Sequence, residues 1–229
     1  MRANVLIVGS EVQATVLGRG LTSRGYEIRT ARGADAAISE LRERNPALVI
    51  ATLDAPARDE IELCRRVRRV STVPIMVVSG HPDEPSEVAA LDAGADDYLG
   101  KPCSTERLLA RVRVALRRKG DSPEAKAFGV GVFHIDFDDR RVHVHGQPVR
   151  LTPKEFDLLV FMARHPNRVL AHRMLLSAVW GEAYAAQPEY LRVFVGQLRK
   201  KLEADTSNPR YLVTEPWVGY RFNPAGAAQ

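Results

Sequence analysis

The chain has little cysteine, and none of its apolar runs is long. Cys64 and Cys103 are its two thiols, too few and too far apart to predict a disulfide framework or a cysteine-ligated zinc site. No run approaches the roughly 20 apolar residues of a transmembrane helix. The first residues enter a strand-like segment directly, without the apolar core of a signal peptide. These absences predict a protein of the reducing cytoplasm with no membrane partner.

Size, composition and charge are those of an ordinary globular protein. A length of 229 residues suits two domains, and a hydrophobic content of 45% is ample for packed cores. The net charge of +5 is compatible with a polyanionic partner, but the basic excess is spread over both halves of the chain. Charge alone therefore does not locate a nucleic-acid surface.

The first half of the chain alternates short apolar runs with helical patterns. The strand-like runs occupy residues 5–8, 27–30, 48–52, 73–79 and 97–99. Such alternation predicts an α/β domain with a five-stranded, parallel, doubly wound sheet. The third strand ends at Thr52, and the carboxyl ends of such strands are where reactive residues gather. A threonine hydroxyl offers no charge to a metal there and is a weak nucleophile.

Three motifs near the end of this half carry a family resemblance. They are Val-Val-Ser-Gly at 77–80, Ala-Gly-Ala-Asp-Asp-Tyr-Leu at 93–99 and Gly-Lys-Pro at 100–102. Over residues 4–118 the chain resembles the receiver domain of response regulators, which implies a flavodoxin-like fold. In that family two adjacent acids bind Mg²⁺ and an aspartate accepts a phosphoryl group. The resemblance implies that Ser79 and Lys101 match the residues that contact this group and that Tyr98 is the aromatic switch residue.

The acidic residues of that family are missing here. Gly9 and Ser10 stand at the acidic pair and Thr52 at the phosphate acceptor, which leaves Glu11 as the nearest acid. Because a magnesium site relies on one or two carboxylates, we expect no bound metal and no other cofactor. We also expect Lys101 to pair with Glu11 or with a backbone carbonyl. The predicted degenerate phosphorylation pocket consists of Gly9, Ser10, Glu11, Thr52, Ser79, Tyr98 and Lys101.

Two alternatives to a phosphorylation-independent receiver stay open. One is a conventional, phosphorylation-dependent two-component regulator that uses Asp54, two residues after Thr52, or Asp59. The other is a regulator that responds to a small ligand bound where phosphate would sit. Phosphoryl transfer from a sensor kinase separates these alternatives, and a kinase partner is left open.

A dimer is the expected assembly. The OmpR/PhoB branch of the family dimerises through its fourth helix, fifth strand and fifth helix. The resemblance therefore implies a homodimer with an apolar centre at Val88 and Leu91, surrounded by charged pairs that set register and partner choice. The charged candidates are Asp96, Asp97, Glu106, Arg111, Arg113 and Arg118.

Charge, glycine and proline interrupt the pattern after residue 118. This composition predicts an exposed linker at 119–127, between a receiver-like domain at 1–118 and a second domain at 128–225. The second domain opens with an alternation that predicts a small antiparallel sheet. Thr152, Pro153 and Glu155 then predict a helix start with a capping box. Two further helices are predicted at 172–180 and 189–202.

The last of these helices has two different faces. Leu191, Val195, Leu198 and Leu202 form one apolar stripe at helical spacing. The face opposite the stripe and its flanks carry Val193, Gly196, Lys200, Arg192, Gln197 and Arg199, with no acid between residues 189 and 203. A helix of this kind fits the DNA major groove.

A β-hairpin predicted at residues 211–222 completes a second resemblance. Together with Thr-Pro-Lys-Glu-Phe at 152–156, Val-Trp-Gly at 179–181 and Leu-Arg-Lys-Lys-Leu at 198–202, it resembles the α+β winged helix-turn-helix effector of the OmpR/PhoB family, most of all the KdpE type. The resemblance implies phosphate contacts from Trp180, Arg199, Thr214 and Tyr220, and base contacts from Arg192 and Gln197.

The hairpin departs from the family at its tip. Family wings carry an Arg-Gly pair where this chain has Pro216 and Trp217. Pro216 cannot reach the minor groove as an arginine does, and Trp217 can only stack or wedge. We expect Arg221 to pack near the hairpin base rather than to replace the missing arginine.

These residues predict a sequence-specific, DNA-binding transcription regulator rather than an enzyme. No nucleophile–base pair is legible, and His134, His143 and His145 lack the further ligands of a metal site. The expected partners are double-stranded promoter or operator DNA, arranged as a direct repeat or a palindrome, and a second copy of the chain. RNA polymerase is a further candidate partner.

Overall fold

The computed structural model describes residues 3–52, 57–80, 82–116 and 127–226. The chain divides into two compact units, residues 1–117 and 118–229. The predicted linker lies outside the described residues except for Ala127, which begins the first strand of the second unit. Within the described ranges, no helix combines the length and the apolar character that crossing a bilayer requires.

The first unit is the predicted doubly wound α/β domain. Its five parallel strands follow the order β2-β1-β3-β4-β5. The strands are β1 (Asn4–Gly9), β2 (Glu27–Ala31), β3 (Leu48–Thr52), β4 (Ile75–Ser79) and β5 (Asp97–Gly100), and the helices are α1 (Glu11–Thr22), α2 (Gly33–Arg44), α3 (Ala57–Val70), α4 (Glu84–Asp92) and α5 (Thr105–Leu116).

The sheet order brings the predicted pocket residues to one edge. Every residue of β3 and β4 is buried, because helices cover both faces of a doubly wound parallel sheet. The apolar core includes Ile50 and Val78 in the centre and Leu109 from α5. Gly9 lies opposite Thr52 in the β1–β3 register, and the carboxyl ends of β1, β3, β4 and β5 meet at this edge.

Over residues 127–226, the second unit contains two small antiparallel sheets and three α-helices. One sheet has the order β6-β7-β8-β9 and the other the order β10-β12-β11. The elements are β6 (Ala127–Val130), β7 (Phe133–Asp136), β8 (Arg141–Val144), β9 (Gln147–Val149), α6 (Pro153–Ala163), β10 (Val169–Ala171), α7 (His172–Val179), α8 (Pro188–Leu202), β11 (Leu212–Glu215) and β12 (Gly219–Phe222), with a 3-10 turn at Glu182–Tyr184 between α7 and α8.

The predicted capping box opens α6. The Thr152 hydroxyl accepts a hydrogen bond from the Glu155 amide at 3.4 Å, and a Glu155 carboxylate oxygen accepts one from the Thr152 amide at 2.7 Å. The same carboxylate oxygen lies 2.6 Å from the Lys201 ammonium near the end of α8. One side chain thus caps α6 and links it to α8.

Candidate nucleic-acid interface and receiver pocket

A directed hydrogen-bond chain fills the edge where a phosphate acceptor would be expected. Thr52 is fully buried. Its hydroxyl oxygen accepts a hydrogen bond from the Lys101 ammonium at 2.9 Å and donates one to the Gln13 amide oxygen at 2.5 Å. Of the two partners expected for Lys101, Glu11 is wrong, because Glu11 forms an exposed ion pair with Arg32 instead; a backbone carbonyl partner stays a prediction.

Gln13 is the residue of this chain of contacts that sequence reasoning missed. It lies in the first turn of α1, directly after β1. Because that turn begins at the edge where the strands end, position alone could have indicated a contact with Thr52. Ser10 has a local role at the same place, since its hydroxyl caps α1 by accepting a hydrogen bond from the backbone N–H of Gln13 at 3.5 Å.

The residues that the structure describes at this edge do not fit a magnesium ion. Gly9 has no side chain, and a Cβ built on it would collide with the backbone carbonyl of Thr52. The Thr52 hydroxyl is engaged by Lys101 and Gln13, and Mg²⁺ sites rely on carboxylates. The alternative acceptor Asp54 lies outside the described residues. In the parts of the chain that the structure describes, no cluster of three or more His, Cys, Asp or Glu side chains is arranged to hold a metal.

Ser79 and Tyr98 form a second contact at the same end of the sheet. Ser79 is buried, and Tyr98 is only 5% exposed. Burial raises the pKa of the Tyr98 phenol above its ordinary value, while the hydrogen bond with Ser79 acts in the opposite direction. The two residues that match the family's serine and aromatic switch positions are therefore in contact in this state.

Four of the residues expected at a dimer interface lie inside the unit, namely Leu91, Asp96, Asp97 and Arg111. Leu91 is fully buried and Asp96 is 2% exposed. The Asp96 carboxylate accepts a hydrogen bond from the Ile75 amide at 2.9 Å and is paired with Arg68 at 2.5 Å. The placement of Leu91 and Asp96 at an interface is corrected, because both side chains are buried within the unit and the Asp96 carboxylate joins Arg68 of α3 to Ile75 of β4.

The remaining interface candidates differ in accessibility. Asp97 and Arg111 are buried and pair with each other at 3.2 Å within one chain, so their placement at an interface is corrected for the same reason. Val88 is half-buried. Glu106 and Arg113 are exposed on α5, and Arg118 lies outside the described residues.

The apolar stripe predicted for α8 is confirmed. Leu191, Val195, Leu198 and Leu202 are all buried. On the other side Arg192 and Lys200 are exposed, and Val193 and Gly196 are half-buried. A Cβ added to Gly196 would meet no atom within 4 Å, so packing within the unit does not require glycine at this position.

Three residues expected to touch DNA are buried, and their assignment is corrected. Gln197 is 8% exposed, Trp180 is 1% exposed and Tyr220 is 6% exposed. The Trp180 ring packs against Phe194 of α8 with ring centroids 4.9 Å apart. Trp180, at the end of α7, therefore packs α7 against α8. A side chain enclosed in this way cannot reach a phosphate.

Arg199 ties α8 to the hairpin. Its Nε and Nη2 atoms donate to the Leu212 carbonyl at 2.9 and 2.6 Å, and Nη2 also donates to the Thr214 hydroxyl at 2.7 Å. Its guanidinium carbon lies 5.9 Å from the centre of the Tyr220 ring. Partial burial lowers the pKa of Arg199, and the neighbouring Tyr220 counteracts this shift.

Glu203 makes a second connection between α8 and the hairpin. One carboxylate oxygen accepts from the Tyr211 and Leu212 amides, both at 2.8 Å, and the other accepts from the Arg210 amide at 2.9 Å. Sequence reasoning missed this residue, since a carboxylate just past a helix end carries no signal of its distant partners.

The hairpin tip is exposed and has an unusual backbone. Trp217 is 100% exposed and has a φ of +65°. Arg221 lies opposite Val213 in the hairpin register and pairs with Glu215, the last residue of β11 before the tip, at 2.6 Å, so its side chain reaches toward the tip and not toward the base.

The comparisons with known proteins agree with both units. Residues 5–113 match the family model described as "Response regulator receiver domain", and residues 146–222 match "Transcriptional regulatory protein, C terminal". The chain is similar to the transcriptional regulatory protein KdpE of Mycobacterium tuberculosis, with 39% identity over 95% of this chain and 98% of the relative. It is also similar to the KDP operon transcriptional regulatory protein KdpE of Escherichia coli, with 41% identity over 96% of this chain and 98% of the relative.

A solved structure extends this likeness along the chain. DrrB, an OmpR/PhoB homologue from Thermotoga maritima, is 25% identical, covers 97% of this chain and 100% of its own, and superposes with a TM-score of 0.50. With a receiver domain, a C-terminal regulatory domain and relatives of this identity over nearly the full length, the chain belongs to the OmpR/PhoB-type transcriptional response regulators.

Proposed function

We propose that the chain is a sequence-specific DNA-binding transcription regulator whose recognition element is α8 together with the β11–β12 hairpin. The observation that carries this proposal is the exposed face of α8. Arg192 and Lys200 project from it, and Gly196 leaves a gap between them that packing within the unit does not fill. The major groove is wide enough to admit such a helix.

Phosphate contacts would supply affinity, and base contacts would supply the choice of sequence. Of the exposed cations, Arg192 is the candidate for base edges and Lys200 for phosphates. Thr214 is exposed beside Arg199 on the hairpin and is a further phosphate candidate. Because each neutralised phosphate releases counterions, affinity should fall steeply as salt rises.

The DNA claim is tested by selection from a random-sequence duplex library with the full-length chain. We expect one motif to be enriched, as a direct repeat or a palindrome. Lys200→Ala should weaken binding to the enriched and to scrambled duplexes alike, whereas Arg192→Ala should relax preference at one base position. Arg141→Ala, an exposed arginine on β8, is the matched control. Failure of the wild-type chain to enrich any motif would contradict the proposal.

We further propose that the receiver-like unit works without aspartyl phosphate. The contacts from Lys101 to Thr52 to Gln13 occupy the edge where the family's acids would stand. With Gly9, Ser10 and Thr52 in those places, no cluster of carboxylates has to be neutralised by a cation. The Ser79–Tyr98 contact is formed in the same state.

Acetyl phosphate with Mg²⁺ tests this second proposal. We expect the intact mass and the affinity for the enriched duplex to stay unchanged after treatment. The mass is also expected to stay unchanged with purified sensor kinases of the same genome. A phosphate group mapped to Asp54 or Asp59 would instead support conventional, phosphorylation-dependent regulation.

We propose that two copies bind adjacent half-sites, about one helical turn apart, through the α4–β5–α5 side of the receiver-like unit. Val88, Glu106 and Arg113 are the accessible candidates on this side. Charge reversal in Arg113→Glu should weaken self-association in sedimentation experiments, and adding Glu106→Arg should partly restore it if the two residues pair across the interface. RNA polymerase stays a candidate partner.

A further inference from the structure

The tip of the β11–β12 hairpin presents an isolated aromatic side chain to solvent. Trp217 is 100% exposed and its neighbour Val218 is 51% exposed, whereas the second tryptophan, Trp180, is 1% exposed. Trp217 also has a φ of +65°. This left-handed region is disfavoured for bulky side chains and is normally given to glycine. Residues held in such conformations are concentrated at functional sites.

The tip is mounted on a rigid base. The Val218 amide donates to the Glu215 carbonyl at 3.1 Å, and the Val218 carbonyl accepts from the His172 amide at 3.1 Å. A Cβ on Gly219 would collide with the backbone of Leu170, so β12 packs tightly against β10. The backbone of the tip is therefore held against the sheet, and the Trp217 side chain extends from it into solvent.

The tip is also close to the DNA-facing side of α8. Arg199 of α8 binds Thr214 on β11, three residues before Trp217. Since β11 ends at Glu215 and an extended chain spans at most about 3.3–3.6 Å for each residue, the tip lies no more than roughly 10 Å beyond that contact. A duplex seated on α8 would bring its neighbouring groove within reach of the indole.

We propose that Trp217 is an apolar wedge that enters the minor groove of the bound duplex and partly unstacks one base step; this rests on the proposed DNA-binding function. Apolar side chains inserted in this way kink DNA, most readily at pyrimidine–purine steps. The wedge would make affinity depend on a base step that no hydrogen bond reads.

The size of the exposed surface favours DNA over a protein partner. A standard protein interface needs about 800 Å² on each side, whereas one tryptophan side chain buries only about 150–250 Å². A single planar ring matches the gap between two base pairs far better. The nearby cations Arg192, Arg199 and Lys200 would also attract the phosphates that flank the groove.

The experiment combines binding, stability and fluorescence on the full-length chain with the duplex enriched from the random library. Trp217→Gly should weaken binding about tenfold, within the range for loss of one stacked aromatic, and should reduce the DNA bend measured by end-to-end energy transfer. The same variant should melt at an equal or higher temperature than the wild type, because glycine adopts the left-handed backbone freely. Val12→Ala, which truncates an exposed apolar residue of α1, should change neither affinity nor bend.

Fluorescence reports the insertion directly. Emission from the exposed Trp217 should fall when the duplex is added, and the indole should then be less accessible to the quencher acrylamide. The variant Trp217→Phe, which retains Trp180 alone, should show neither change. Wild-type affinity and bend in Trp217→Gly would overturn the wedge while leaving the DNA-binding proposal intact. Emission that responds to protein concentration instead of to DNA would assign the indole to self-association and also overturn it. A wild-type chain that enriches no duplex would overturn both proposals.

Discussion

Gly196→Ala should stabilise the second unit and weaken its binding to DNA. Glycine inside a helix is less favourable than alanine by about 1 kcal/mol. A Cβ at position 196 meets no atom within 4 Å, so no clash offsets this gain. We expect the free energy of unfolding to rise by about 0.5–1 kcal/mol, which corresponds to an increase of roughly 4 °C in Tm for a unit of this size.

The same methyl group should interfere with the duplex. If α8 lies in the major groove with Gly196 toward the bases, an added Cβ occupies space that the DNA needs. Overpacking of a tight contact costs about 1–3 kcal/mol, so we expect affinity for the enriched duplex to fall about tenfold or more. Calorimetric unfolding of the full-length chain and titration of a labelled duplex measure the two effects.

Gly18→Ala is the matched control. Gly18 lies in α1 of the first unit, and its Cβ would make an ordinary contact at 3.5 Å with Ile28. This variant should raise the Tm of the first unit and leave DNA affinity unchanged. A lower stability for Gly196→Ala would refute the inferred open space, and unchanged affinity would refute the orientation of α8 on DNA.

Three further perturbations test other contacts. Thr52→Val removes the hydroxyl that joins Lys101 to Gln13 and should lower the free energy of unfolding by about 1–2 kcal/mol. The control Thr30→Val, at an exposed position of β2, should change it by less than about 0.5 kcal/mol. Equal stability of Thr52→Val and the wild type in urea titrations would mean that the hydroxyl contributes nothing. Arg199→Met should cost about 2 kcal/mol and loosen the hairpin, seen as faster amide exchange at Thr214 than in Arg210→Met; unchanged exchange would contradict its anchoring role. Burial raises the pKa of the Cys64 thiol to about 12, so at pH 8 Cys103 should react with a thiol reagent while Cys64 reacts only after unfolding. Because the pKa of Cys64 is higher in the folded state, the folded state favours the neutral thiol. The contribution of this thiol to the free energy of unfolding is complete below the ordinary thiol pKa and is lost as pH rises toward 12. Rapid labelling of both thiols at pH 8 would contradict the burial of Cys64.

Periodic patterns gave reliable predictions where an element buries one continuous face. The four apolar residues of α8 recur at helical spacing and are all buried. The capping residues Thr152 and Glu155 are local to each other and are observed as expected. Neither β6 nor β10 is predicted, because strands of four and three residues carry too little alternation and depend on distant partners.

The candidate site was harder to predict because flanking positions on a helix do not determine exposure. Gln197 was placed on the edge of the DNA-facing side of α8, yet it is 8% exposed, since the neighbouring elements cover that edge. Leu91 and Asp96 were assigned from family position, and tertiary contacts with the sheet and Arg68 bury them instead. Spacing reports the angle around a helix axis but not which angles the rest of the fold covers.

The two connections from α8 to the start of the hairpin have a mechanical consequence. Arg199 and Glu203 both bind the start of the hairpin from positions one helical turn apart, so α8 and the hairpin are joined at two points and their separation is restrained. If α8 and the hairpin are the recognition element, as proposed, a duplex whose grooves do not match this separation is not readily accommodated by rearranging the protein. It has to twist or bend, and sequences that deform at low energy are then preferred, even at base pairs that no side chain reaches.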